Sequence, residues 1–135
     1  EDIRNRPKSI WDLNITGGKE YYILWADGHI DADYFTSCMD ERKREINNAF
    51  LTREEAEFEV ERRKIEAIMR KYSRPFKEGE GNCCIYYDYD YNDIEVGTHY
   101  ITNYRIPYFE SEKVILKVID EIGEDRLKKY WFGVK

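Results

Sequence analysis

The stretch from Phe50 to Tyr72, FLTREEAEFEVERRKIEAIMRKY, constrains the fold more than any other part of the chain. Thr52 stands where a helix N-cap belongs and Glu55 follows three residues later. The pair makes a capping box, in which each side chain satisfies a backbone N–H that the first turn leaves without a partner. Leu51 before the cap and Ala56 inside the first turns are spaced for a hydrophobic staple. Glu59 with Arg63, and Glu66 with Arg70, place an acid one turn ahead of a base. Each such pair contributes about 0.2–0.5 kcal/mol. Pro75 stops the run, because the residue before a proline is pushed out of the α region. The expected helix is therefore Arg53 to Tyr72, about 30 Å long at 1.5 Å per residue.

Its apolar residues fall on two faces. Ala56, Val60 and Ala67 share one side, and Phe58, Ile65, Ile68, Met69 and Tyr72 share the other. Two faces need two partners. The small-residue face suits close packing on a sheet. The bulky face, with Phe58, Ile65, Met69 and Tyr72 as its contact residues, must meet the second half of the chain or another subunit, and a homodimer is one way to cover it.

The rest of the chain supplies strands on either side of this helix. Residues 1–9 carry alternating charges and Pro7 and are expected to form a loose arm. Trp11 and Leu13 are expected in a short anchoring strand, with a turn at Gly17-Gly18. Tyr21 to Trp25 is a continuous apolar run, as in a strand covered on both faces. Asp27-Gly28 predicts a type I′ hairpin, and His29 to Phe35 a half-buried return strand with Ile30, Ala32 and Tyr34 inward. Asp40 is expected to cap a short helical turn before Asn47-Asn48.

After Pro75, the loop KEGEGN predicts the boundary between residues 10–74 and 75–135, two halves of one compact domain. Cys83 to Tyr91 and Thr98 to Ile106 predict strands, the second with Tyr100, Thr102, Tyr104 and Ile106 on one side. Ser111 should cap a second helix with a stripe of Ile115, Val118, Ile119 and Ile122, ended by Gly123. A last short helix is expected over 124–129, with Tyr130, Trp131 and Phe132 closing as a strand or core plug. Phe50-Leu51-Thr52 and Phe109-Glu110-Ser111 precede the two helices in matching order, which fits either a duplication or two ordinary halves with similar caps. The fold class is thus α+β: two strand-strand-helix halves, with antiparallel meander sheets packed on two main helices.

The chemistry is sparse. Asp88-Tyr-Asp90-Tyr-Asn92 starts like a calcium loop, but Asp93 stands where that loop needs glycine and His99 where it needs a bidentate glutamate. Cys83 and Cys84 are adjacent in a strand and point to opposite faces, and Cys38 beside Arg42 to Arg44 reads as an ordinary small residue. Phosphate-loop, dinucleotide and serine-hydrolase motifs are missing. No metal, cofactor or enzymatic activity is expected. Three cysteines suit a reducing compartment, and no apolar run reaches membrane-spanning length. A net charge of −6 disfavours direct nucleic-acid binding. Two surfaces remain. The acidic strand face of Tyr86, Asp88 and Asp90 with Asp93 and Glu95 is the expected partner-binding surface, because 12 tyrosines are more than a core of this size absorbs. The alternative is an anion site built on Arg62, Arg70 and Arg74 of the long helix.

Trp11, Leu13, Gly18, Tyr21-Tyr22-Ile23, Gly28 and Asn48-Ala49-Phe50, followed by Thr52-x-Glu54-Glu55-Ala56-Glu57, resemble a group of small uncharacterised phage and prophage proteins of Firmicutes. The resemblance covers the first half, and it departs at Asn47, where the group usually has glycine. It implies a phage origin, and no catalytic residues are carried over from it. The expectation is a non-enzymatic protein in the cytoplasm of an infected bacterium, with no membrane attachment. It would bind and inhibit a host protein, a nucleic-acid-binding defence effector such as a CRISPR nuclease being the partner class. The rival expectation is an oligomeric protein that sequesters an anionic signalling nucleotide, and a structural or transcription-associated phage component is the third.

Overall fold

Helix caps and short turns, more than long strands, set the architecture. The computed structural model describes residues 6–103 and 105–135. The fold is α+β, with two antiparallel sheets of two strands each. In order the chain forms a 3-10 turn (Ile10–Asp12), β1 (Glu20–Leu24), β2 (Ile30–Tyr34), α1 (Cys38–Glu45), α2 (Arg53–Tyr72), β3 (Asn82–Asp88), β4 (Asp93–His99), α3 (Glu112–Ile122), α4 (Glu124–Arg126) and a π-helical turn (Leu127–Trp131). It divides after Val60 into two compact units. The boundary lies inside α2 and not in the KEGEGN loop, because the two faces of that helix are used at different heights: Ala56 is buried in the first unit, Ile65 and Met69 in the second.

In the first unit β1 is central. Its Tyr22 pairs with Ala32 of β2 on one side and with Phe50 on the other, where Tyr22 and Phe50 exchange two backbone bonds of 2.8 Å. The side-chain amide of Asn48 extends this edge by bonding both the N–H (3.1 Å) and the carbonyl (3.0 Å) of Leu24. Tyr21 and Ile23 point into a cluster with Leu13, Phe35 and Ala49. Leu24, with Tyr22, points the other way, to Phe50 and Ala56. The doubly covered strand and the small-residue helix face are thus one arrangement.

The second unit repeats the device. Cys83 of β3 pairs with Thr98 of β4 and, on its other edge, with Phe109, which immediately precedes the capped helix α3. Ser111 accepts from the Val114 N–H, and Gly123 closes α3 at φ 95°. Ile65, Met69, Ile85, Phe109, Ile115 and Val118 are the centre of the core. Asn82 is buried with them. Its Oδ1 accepts from Arg74 Nη1 (2.8 Å) and the Lys77 N–H (2.9 Å). Its Nδ2 faces the carbonyls of Lys77 (3.0 Å), Glu80 (2.9 Å) and His99 (3.1 Å).

Several local expectations are corrected. Trp11 lies in a 3-10 turn capped by Ser9, not a strand, and the Arg44 guanidinium sits 4.7 Å from its ring while bonding the carbonyls of Ile10 and Leu13. At Asp27-Gly28 only Gly28 takes a positive φ (88°), so the hairpin is a three-residue loop with a left-handed glycine instead of type I′. Ala32 and Tyr34 are exposed, because β2 is an edge strand with its inward side met only near Ile30. Ser37, not Asp40, caps α1, and Asp40 is the acid of its capping box. Glu55 returns its carboxylate to the Leu51 N–H (3.3 Å), while Thr52 accepts from the Glu55 N–H (3.2 Å). Leu51 and Ala56 join different clusters, so no staple forms.

Strand β3 ends at Asp88, and no strand covers residues 100–103 or 105–107, so each sheet is a hairpin rather than a meander. Tyr104, expected on a strand face, lies outside the described residues, as do residues 1–5 of the expected arm. Ala67 is exposed. Tyr130 and Trp131 close in the π-helical turn, where the Phe132 N–H bonds the Leu127 carbonyl at 3.0 Å and Leu127 is buried. They plug the core and form no strand.

Candidate functional site

Between Glu78 and Tyr104 the chain carries six carboxylates and not one lysine or arginine. The β3–β4 hairpin gathers four of them. Cross-strand register sets Tyr86 opposite Glu95 and Asp88 opposite Asp93, so all four share one face, and Asp90 follows in the connecting turn. The expected surface therefore assembles. Asp88 Oδ1 accepts from the Asp90 N–H (2.9 Å) and Asp93 Oδ1 from the Ile94 N–H (2.9 Å), and among the described residues none of these carboxylates has a cationic partner.

Aromatic rings flank them. Tyr89 and Tyr91 are 70% and 80% exposed, while Tyr86 lies over Gly97, where an added Cβ would sit 3.2 Å from its ring. Gly97 lets Tyr86 fold down beside Cys84, whose thiol is pushed up by burial. The strand expected over Cys83 to Tyr91 ends at Asp88, and the turn at 89–92, with Asn92 at φ 53°, leaves Tyr89 and Tyr91 exposed to solvent. The signal was the Asn-Asp pair that closes the turn.

The basic residues of α2 behave differently. Arg62 and Arg70 both bond Glu66 (3.2 and 3.1 Å), Lys64 bonds Glu61 (3.3 Å) and Lys71 meets Glu121 (3.4 Å). A hydrogen bond from Arg126 (2.9 Å) holds the Glu61 carboxyl below its ordinary value. Arg74 is committed to Asn82 and lies 2.7 Å from Glu110. Arg62 and Arg70 thus meet on Glu66, while Arg74 is turned to Asn82 and Glu110. Arg70 also lines a cleft with Ser73, Arg105 and Trp131, the latter two not singled out by the sequence because only the folded loop brings them there. Of the expected contact residues, Ile65 and Met69 are core, Tyr72 packs against that core and Phe58 is 38% exposed.

Among the described residues no group of three or more His, Cys, Asp or Glu side chains is arranged to hold a metal ion, and no helix is long and apolar enough to cross a membrane. Comparison of the chain with protein-family models, curated proteins and solved structures gave no match.

Proposed function

We propose that this chain is a non-enzymatic binding protein that docks the acidic, tyrosine-rich face of its β3–β4 hairpin onto a basic surface of a partner protein. One observation carries the reading: among the described residues Asp88, Asp90, Asp93 and Glu95 are clustered without cationic partners beside exposed tyrosines, whereas the basic residues of α2 named above are neutralised by neighbouring glutamates. A self-contained surface pairs its charges, and unpaired charge of one sign steers a partner of the other sign. Complementary charge accelerates encounter, and the rigid tyrosine rings supply contact area once docked. The resemblance of the first half to phage and prophage proteins supports a bacterial host protein as the partner. A defence effector that handles nucleic acid fits best, because its channel offers the basic surface, and occupying that channel would inhibit it.

The test is recovery of the tagged chain from host lysate and native mass spectrometry of what accompanies it, followed by binding kinetics of the triple variant Asp88→Asn, Asp90→Asn, Asp93→Asn. Asparagine keeps the acceptors of the two local hydrogen bonds. The association rate should fall at least about tenfold at low salt and converge with wild type at high salt. A variant that binds and inhibits as wild type does at every salt concentration would falsify the docking surface.

A further inference from the structure

We propose that the second unit holds a separate site for an organic anion that joins a planar ring to a phosphate or carboxylate group. The site is the cleft of about 580 Å³ whose apolar wall is Met69, Ile106, Pro107 and Trp131 and whose polar side holds Arg70, Arg105 and Ser73. Its volume lies in the range of about 300–1,000 Å³ usual for small-molecule pockets. It shares no residue with the hairpin face and does not rest on that reading.

Arg105 carries the argument. Its φ is 57°, the left-handed region that glycine enters freely and asparagine tolerates, but that strains an ordinary side chain. Nothing in turn chemistry selects arginine there. The turn places that arginine in the lining of the cleft that also holds Arg70. Strain of this kind persists where the strained residue has a task.

Charge points the same way. In a chain of net charge −6, this cleft has two guanidinium groups against one carboxylate, and Glu66 is already bonded by both Arg62 (3.2 Å) and Arg70 (3.1 Å). Arginine has five N–H donors, so Arg70 can keep Glu66 and still receive a ligand oxygen. The C-terminal end of α2 opposes an anion with about half an elementary charge, less than the one guanidinium by which the lining exceeds its carboxylate. Trp131 and Pro107 offer flat apolar faces for a ring, and Ser73 a hydroxyl donor.

The experiment uses the full chain with Trp11→Phe and Trp25→Phe, which leaves Trp131 as its one tryptophan. Its fluorescence is titrated with adenosine monophosphate, phenyl phosphate and benzoate, and with inorganic phosphate and adenosine as separated halves. At least one ring-bearing anion should give a saturable change below about 5 mM, with each half at least about tenfold weaker; the phosphates and benzoate together identify the preferred head group. Arg105→Asn, which removes the guanidinium at a backbone angle asparagine accepts, and Arg70→Gln should each weaken binding at least about tenfold while retaining the fold by circular dichroism. No saturable change with any ring-bearing anion overturns the proposal. So does undiminished binding by whichever of the two variants is folded, and inorganic phosphate binding as tightly as the ring-bearing anions overturns the ring recognition.

Discussion

Replacing Asn82 by aspartate is nearly isosteric, yet it should unfold much of the second unit. The amide is fully buried and is oriented by its neighbours: two donors, Arg74 Nη1 and the Lys77 N–H, face Oδ1, and three carbonyls, those of Lys77, Glu80 and His99, face Nδ2. Two N–H protons are shared among three acceptors, so about four full hydrogen bonds are at stake, each contributing roughly 1 kcal/mol net. Asn82→Ala should therefore cost about 3–5 kcal/mol, a large part of the 5–15 kcal/mol typical of a domain. Asn82→Asp keeps the two bonds to Oδ1 and strengthens the one from Arg74, but turns an oxygen toward three carbonyl oxygens. That repulsion in a buried site should outweigh the gain, so the aspartate variant should be at least as destabilised as the alanine variant at pH 7. Urea denaturation followed by Trp131 fluorescence, in the Trp11→Phe, Trp25→Phe background, reads the second unit. An Asn82→Asp protein within about 1 kcal/mol of wild type would show that the ion pair with Arg74 dominates and would refute the reasoning.

Two further outcomes follow from the structure. Burial opposes the charge of Asp40, but hydrogen bonds from Tyr21, from the Thr36 and Ser37 N–H groups and from the Ser37 hydroxyl outweigh it and hold its carboxyl below 3.8. A depressed folded value means stabilisation that is present above the unfolded value and lost as pH falls through the folded one. The unfolding temperature of wild type should thus fall more steeply below about pH 4 than that of Asp40→Asn; parallel profiles would count against it. Gly97→Ala sets a methyl about 3.2 Å from the Tyr86 ring and 3.4 Å from buried Cys84 Sγ, so the exposed ring must yield. Stability should change by less than about 1 kcal/mol, while affinity for the partner recovered from lysate should drop as it does in Tyr86→Ala; unchanged affinity in both variants would remove Tyr86 from the docking face.

Local chemistry was readable where one residue type has one use. Thr52 and Glu55, Ser111 and Gly123 bracket α2 and α3 at the expected residues, because caps and left-handed stops act within a few residues of themselves. The shared face of Tyr86, Asp88, Asp93 and Glu95 also follows from the period of two. Alternation misled for Ala32 and Tyr34, since it records a pattern but not whether anything packs against an edge strand. It misled again for Tyr89 and Tyr91, where the turn claims residues whose pattern continues the strand.

What the sequence determined by itself is the α+β class, the extents of the two main helices and the partition of charge along the chain, all consequences of interactions between near neighbours. Long-range packing, in contrast, set the faces of α2 in different units, spent Arg74 on Asn82 while Arg70 joins Arg105 in a cleft, and among the described residues left the hairpin carboxylates without cationic partners. Those facts depend on which side chains meet across tens of residues. Pairing of that kind is fixed by packing volume and buried hydrogen bonds, and neither leaves a periodic trace in the chain.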